Sequence, residues 1–94
     1  MKVRKKPIIL SAVRWEPDPT FKTRWNTDRG ALETHGAPGY DRHNVTYTLL
    51  DVGIETKEGF LRIKPGDVIM TGTRGERWAI DKDIFEETYE VIEE

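Results

Sequence analysis

The stretch that decides the fold reads Lys64-Pro65-Gly66-Asp67-Val68-Ile69-Met70-Thr71. Proline in the second place and glycine in the third place of residues 64–67 fit a type II turn, because that turn requires a positive φ at its third residue. Val68–Thr71 is almost continuously apolar, which is typical of a strand in the middle of a sheet. The turn is therefore predicted to set the register of residues 60–63 against Val68–Thr71.

Short strand patterns and turn residues continue on both sides of this stretch. Asp81 is placed to cap a short helix over residues 82–87, with Asp83 in its first turn and with Ile84, Phe85 and Tyr89 holding it to the sheet. A second short helix is predicted over residues 28–34. The segments with strand patterns are residues 6–15, 45–50, 52–56, 60–63, 68–71, 77–80 and 89–92.

These patterns predict an α+β fold that is mainly β, a small antiparallel sheet or partly open barrel with one or two short helices. The 94 residues are expected to form a single domain over residues 1–94, with an irregular loop or insertion at residues 16–45. Hydrophobic residues make up only 36% of the chain. So thin a core favours a homo-oligomer, because association buries surface that one copy leaves exposed.

Several classes of protein are disfavoured by composition. The chain contains no cysteine, which excludes disulfides, thiolate metal sites and a cysteine nucleophile. No apolar run approaches the roughly 20 residues of a membrane span. The basic start at residues 1–6 resembles a signal peptide only faintly, since Arg14 and Glu16 interrupt the apolar stretch that follows. A cytoplasmic location and no membrane contact are therefore expected.

Charge is distributed unevenly along the chain. Residues 1–47 hold nine Lys or Arg against five Asp or Glu, whereas residues 48–94 hold six against twelve. The two halves thus carry +4 and −6, which sum to the net charge of −2. Such asymmetry suits an anion-binding face or the docking of two copies, and it is equally typical of a solvated surface with an acidic tail.

Four motifs follow one another in the second half of the chain: Ile54-Glu55-Thr56-x-x-Gly59, Pro65-Gly66-Asp67-Val68-Ile69, Gly72-x-x-Gly75-Glu76 and Asp83-Ile84-Phe85-x-x-Thr88-Tyr89-Glu90. In this order they resemble a group of small phage and prophage proteins. Near the start, Lys6-Pro7 and a strand ending in Trp15 are similar as well, so that the resemblance covers roughly residues 3–15 and 52–90.

The chain departs from that group in three places. Val68 stands where the group usually has tyrosine or tryptophan, residues 78–85 lack the group's two prolines, and residues 16–45 match nothing in it. The resemblance implies a phage origin and an accessory role, such as inhibiting a host enzyme or sequestering a nucleotide signal of host defence. It does not imply a reaction, because a function must be argued from a site.

Arginine and tryptophan supply the candidate binding site. Three Arg-Trp dipeptides begin at Arg14, Arg24 and Arg77, and Arg74 lies in the turn just before the last of them. Guanidinium groups pair with phosphates and indole rings stack on bases, so the pattern favours a small anionic ligand such as a cyclic nucleotide. The predicted contacts are Arg14, Trp25, Arg74, Arg77 and Trp78, with Lys5 and Lys6 as helpers.

A structural interpretation of the same dipeptides stays open. Neighbouring residues on a strand point to opposite faces, so each tryptophan would be core and each arginine surface. This interpretation is favoured for Trp15 and Trp78, and the two interpretations are balanced for Trp25.

The leading hypothesis is a phage-encoded binding protein that sequesters a phosphorylated signal without catalysis and without a cofactor. The first alternative is an inhibitor of a host enzyme, which would use residues 16–45 or the acidic C-terminal stretch. The second is a metal-dependent phosphodiesterase or nuclease using His35 and His43, whose spacing matches no known motif. Nucleic-acid binding through the basic arm is disfavoured by the acidic net charge.

Overall fold

The chain folds into short antiparallel strands and one helix within residues 1–4 and 6–93, which the computed structural model describes. A single turn of 3-10 helix covers Pro19–Phe21. The strands are Ser11–Arg14 (β1), Thr23–Asn26 (β2), Ala31–Thr34 (β3), Gly39–Tyr40 (β4), Thr46–Tyr47 (β5), Val52–Thr56 (β6), Gly59–Arg62 (β7), Val68–Thr71 (β8) and Arg77–Ile80 (β9), and the helix is Lys82–Thr88 (α1).

The strands form three small sheets, with orders β1-β8-β9, β2-β3 and β4-β5-β6-β7, and every pairing among the described residues is antiparallel. The mainly β fold with small antiparallel sheets is confirmed, and no barrel closes within the described part of the chain. No helix in residues 1–4 and 6–93 is long and apolar enough to cross a membrane.

The turn at Pro65-Gly66-Asp67 has the predicted geometry and a different role. Gly66 has a φ of +88°, and the Asp67 amide donates to the Lys64 carbonyl across 3.1 Å. The predicted pairing of residues 60–63 with β8 is wrong, because β7 pairs with β6. The two edges of β8 are taken by β1 and β9, so none is left for β7. The turn instead carries the chain between sheets and exchanges two 2.8 Å backbone hydrogen bonds with Trp15.

The core lies on both sides of the β1-β8-β9 sheet. On one side, fully buried Trp15 packs in a cluster with side chains from β3, β5, β6 and β8. On the other side, Val68 and Met70 pack against Phe85 of α1. The helix begins as predicted, with the Asp81 side chain accepting from the Asp83 amide across 2.8 Å. Ile84 was expected to pack on the sheet and is instead 54% exposed.

Residues 16–45 contain more regular secondary structure than the irregular loop that was predicted. The helix predicted over residues 28–34 is wrong, and a β2–β3 hairpin lies there instead. Its turn is stabilised by Asn26, whose side-chain oxygen accepts from the amides of Asp28 and Arg29 and whose carbonyl accepts from Gly30. Asparagine side chains favour such turns over helices because they bind the backbone two residues on.

Three predicted strands are shorter or absent. The first strand begins at Ser11 rather than residue 6, because its partner β8 ends at Thr71, directly opposite Ser11. Of residues 45–50, only Thr46–Tyr47 form a strand. The strand ends there because the chain turns, with the Thr48 amide donating to the Asp51 carbonyl across 2.8 Å. Residues 89–92 form no strand, and Tyr89 caps the end of α1.

Candidate functional site

Two hairpin turns face each other across a cavity of about 500 Å³. One is the β8–β9 turn and the other is the β6–β7 turn, and β9 packs beside β6. The side chains that line the cavity are polar or charged apart from one tryptophan: Lys57, Glu58, Thr73, Arg74, Glu76, Arg77 and Trp78. Three of the predicted contacts, Arg74, Arg77 and Trp78, therefore meet in one place.

The β8–β9 turn presents Arg74 at its tip. The Gly72 amide donates to the Glu76 carbonyl across 2.8 Å, and the Gly75 amide donates to the Gly72 carbonyl across 3.1 Å. The Glu76 side chain folds over Gly72, where a Cβ would lie only 1.6 Å from its Oε1. Within the described residues the Arg74 side chain forms no hydrogen bond or ion pair, and it is exposed to solvent. Its guanidinium is therefore available to bind a ligand.

Arg77 is fixed in the wall of the cavity by a loop. Its guanidinium donates to the carbonyl of His43 across 2.5 Å and to that of Asn44 across 3.4 Å. Asn44 has a φ of +57°, and its amide donates to the Asp41 carbonyl, so the loop is a tight turn. A guanidinium has five N–H donors, and these contacts leave some of them for a second partner.

Trp78 serves the core as well as the cavity. It is half-buried and packs against the cluster of Val68, Met70 and Phe85. The core interpretation of this tryptophan is therefore right in part, and the same residue also lines the cavity. Packing on one side holds the ring still, which lowers the entropic cost of a stacking contact on the other.

The β6–β7 turn supplies the opposite wall, which sequence reasoning missed. The Thr56 hydroxyl donates to the Gly59 carbonyl across 2.7 Å and accepts from the Glu58 amide across 3.2 Å. Lys57 and Glu58 are thereby exposed at the turn's tip, toward the cavity. The sequence carries no local signal for two hairpins from different sheets facing each other.

The cations of the cavity form no ion pairs with carboxylates of the described residues. Among the described residues, none of Lys57, Arg74 and Arg77 has a carboxylate oxygen within 4.0 Å. Glu58 and Glu76 also line the cavity, so three cationic and two anionic side chains leave one net positive charge. Such a site attracts an anion of low charge and offers acceptors to its N–H or O–H groups.

Behind the loop that holds Arg77 lies a buried polar network centred on Asp41. One carboxylate oxygen accepts from the Trp15 indole across 3.0 Å and from the Tyr47 hydroxyl across 2.9 Å. The other accepts from the amides of His43 and Val45 across 2.8 and 3.1 Å. The network joins the core to the loop, and through it to Arg77.

The pKa values in this network follow from its hydrogen bonds. Burial alone raises the pKa of Asp41, but the donors from Trp15, Val45, His43 and Tyr47 outweigh it, and the pKa lies below its ordinary value. Burial raises the pKa of Tyr47, and donation to Asp41 raises it further. Asp41 therefore stays ionised and Tyr47 stays protonated near neutral pH, so the pair serves to hold the structure together.

The remaining predicted contacts lie elsewhere. Arg14 faces Glu86 across 3.5 Å and lines a different, apolar groove. Trp25 lies on the separate β2–β3 hairpin and is 43% exposed. Lys6 is exposed in the N-terminal segment, and Lys5 lies outside the described residues. The structure therefore does not place Arg14, Trp25 or Lys6 among the residues that line the cavity.

The two histidines belong to no cluster of potential metal ligands in the described part of the chain. His35 is exposed, and its amide donates to the Lys22 carbonyl across 3.0 Å, while His43 contributes its backbone to the contacts of Asp41 and Arg77. No group of three or more His, Cys, Asp or Glu side chains that could hold a metal ion occurs in residues 1–4 and 6–93.

Comparisons with known proteins find one family. A family model described as "PGDYG protein" matches residues 59–94, which is less than half of the chain. The match includes β7, the Pro65-Gly66-Asp67 turn, the β8–β9 hairpin with its arginines, and α1. No curated protein and no solved structure matches the chain.

Proposed function

We propose that this chain binds and sequesters a small phosphorylated molecule in the cavity between the β6–β7 and β8–β9 turns. The observation that carries the proposal is the meeting of Lys57, Arg74, Arg77 and Trp78 around one cavity, with no carboxylate of the described residues paired to any of the three cations. A volume of about 500 Å³ is within the range of small-molecule sites.

The chemistry of the lining favours a nucleotide with few charges. Arginine binds phosphate oxygens in a bidentate fork, and the half-buried Trp78 offers part of its ring to a base. Glu58 and Glu76 would repel a triphosphate and accept hydrogen bonds from base or ribose. A phosphodiester carries one negative charge per phosphate, so a cyclic nucleotide suits this balance better than a linear polyphosphate.

The environment of the Thr73 hydroxyl supports binding rather than turnover. Thr73 is the sole hydroxyl among the described lining residues, and none of their hydrogen bonds joins it to a base. Nucleophilic catalysis by threonine requires such a partner. With the phage resemblance of the sequence, the proposed role is that of a cytoplasmic phage accessory protein that removes a nucleotide signal of host defence.

The direct experiment incubates the purified chain with a panel of cyclic and linear nucleotides, removes free ligand, and analyses what heat denaturation releases. Sequestration predicts an intact nucleotide in the released fraction. A chemically altered nucleotide would contradict the proposal in favour of an enzyme. No retention across the panel would also contradict it, and would favour the inhibitor hypothesis.

Variants then assign the ligand to this cavity. Arg74→Gln and Lys57→Gln should each weaken binding of the retained nucleotide by about 10-fold or more, since a hydrogen bond to a charged group contributes about 1.5–3 kcal/mol. Lys22→Gln is the matched control, because Lys22 is exposed and does not line the cavity. Equal affinity in all three variants, measured by calorimetry, would place the ligand elsewhere.

A further inference from the structure

An apolar groove of about 700 Å³ lies on the α1 side of the β1-β8-β9 sheet. Its floor is the small core cluster of Val68, Met70 and Phe85. One wall is formed by residues 7–10 with Ala12 and Arg14 of β1, and the other by residues 88–93 at and beyond the end of α1. The groove is separate from the cavity that holds Arg74.

Both walls expose aliphatic side chains. Ile8 and Ile9 are 53% and 78% exposed, and Val91 and Ile92 across the groove are 56% and 66% exposed. Four large aliphatic residues around one groove are more than scattered surface apolar residues explain, and such patches mark interaction sites.

The wall at β1 also has an open sheet edge. The Trp15 amide donates to the carbonyl of Asp67, the residue just before β8. In an antiparallel pair every second residue forms its backbone hydrogen bonds with the partner strand, so the N–H and C=O groups of Val13 and Ser11 also point toward β8. The N–H and C=O groups of Ala12 and Arg14 therefore point away from β8, where no strand of the described chain lies. An open edge beside apolar side chains is a template for pairing with another strand.

Charge indicates which partner fits this edge. The N-terminal arm at residues 1–6, which leads into one wall of the groove, is basic in sequence. The opposite side is acidic, with Glu86 and Glu87 in α1 and with Glu90 and Glu93 lining the groove. A second copy of this chain is therefore a complementary partner, because a two-fold pairing would bring the basic arm of each copy to the acidic residues of the other.

We propose that the groove and the β1 edge are the interface of a two-fold dimer of this chain. Antiparallel pairing of two β1 edges joins the sheets into one of six strands, and Ile8 and Ile9 of each copy cover the other's groove. The basic arm of each copy then runs past Arg14 of its partner, which lies 3.5 Å from Glu86, toward the partner's acidic segment. The interface is isologous, so every contact occurs twice.

Sedimentation equilibrium of the full chain over a wide dilution series tests the proposal. The wild-type chain should sediment as a dimer that dissociates on dilution. Ile9→Asp should weaken self-association by about 100-fold, because a buried isoleucine is lost twice in a two-fold dimer. Leu49→Asp is the matched control and should leave the dimer intact, since Leu49 is 60% exposed and does not line the groove.

A charge exchange tests the orientation of the two copies. Arg4→Glu with Lys6→Glu should weaken the dimer, and adding Glu90→Lys with Glu93→Lys to the same chain should restore it. Circular dichroism establishes that each variant is folded. A wild-type chain that is monomeric at every concentration, or a dimer that survives Ile9→Asp, would overturn the proposal and leave the groove to a different partner. A dimer not restored by the exchange would overturn the antiparallel arrangement.

Discussion

The indole nitrogen of Trp15 donates to a carboxylate oxygen of Asp41 across 3.0 Å, and both side chains are buried. This bond ties the end of β1 to the loop after β4, and the same carboxylate receives the Tyr47 hydroxyl. Because the loop also holds the guanidinium of Arg77, the packing of the core and the shape of the candidate site depend on one buried anion.

Replacing Asp41 with asparagine should therefore lower the free energy of unfolding by about 2–4 kcal/mol. Asparagine retains one carbonyl oxygen, and its NH₂ group would face N–H and O–H donors. Urea denaturation measures the change. Asp28→Asn is the control, because Asp28 is exposed in the β2–β3 turn; an equal effect in both variants would contradict a special role for the buried carboxylate.

Asp41 should also make the fold sensitive to acid. Although burial raises it, the pKa of Asp41 lies below its ordinary value of about 3.9, because the hydrogen bonds outweigh burial. The unfolded chain therefore binds a proton more readily than the folded chain does. The stability that this group contributes is complete above about pH 4 and is lost as the pH falls through the folded pKa.

The measurement is urea denaturation of the wild type and of Asp41→Asn at a series of pH values from neutral downward. The difference in stability between the two proteins should be constant near neutrality and should shrink below about pH 4. Glu33 and Asp81 also have lowered pKa values and remain in both proteins, so their contributions cancel in the difference. A difference that does not change with pH would contradict the prediction.

The two arginines of the cavity should differ in their effect on stability. Arg77→Gln should lower the free energy of unfolding by about 1–2 kcal/mol, because it removes charge-assisted hydrogen bonds to the carbonyls of His43 and Asn44. Arg74→Gln should change it by less than about 0.5 kcal/mol, since Arg74 is exposed. Similar values for the two variants would mean that the loop does not depend on Arg77.

Gly53 should not tolerate a side chain. A Cβ at this position would lie 2.2 Å from the carbonyl oxygen of Leu61 in the paired strand β7. Gly53→Ala should therefore push β6 and β7 apart and lower stability by more than about 3 kcal/mol, as seen by thermal unfolding. Gly36→Ala is the control, because the nearest atom there lies 3.9 Å away, at an ordinary contact distance.

Asp81 both caps the N-terminus of α1 and pairs with Lys64, and two substitutions distinguish these roles. Asp81→Ala should lower stability by about 1 kcal/mol and speed amide exchange at Phe85 and Tyr89, because the cap of a short helix is lost. Asp81→Asn keeps the cap and removes only the partly exposed pair with Lys64, at 3.0 Å, so its effect should be small. Equal loss in both variants would assign the effect to the ion pair instead.

Sequence reasoning succeeded where residues a few positions apart decide the structure. The type II turn at Pro65-Gly66-Asp67 follows from a fixed φ in one residue and a permitted positive φ in the next. The cap of α1 follows from Asp81 and the amide two residues on. Asn26 carried the same kind of signal for the β2–β3 turn, and the helix predicted over residues 28–34 overlooked it.

The partners of each element depended on the tertiary structure. The sequence by itself determined that residues 64–67 turn and that β8 is a central strand. Only the whole fold decided that β1 and β9 occupy both edges of β8, that β7 pairs with β6, and that Lys57 therefore faces Arg74 across a cavity. A turn is selected by backbone dihedral angles within a few residues, whereas sheet partners are selected by apolar burial between segments far apart in the chain, which no short pattern encodes.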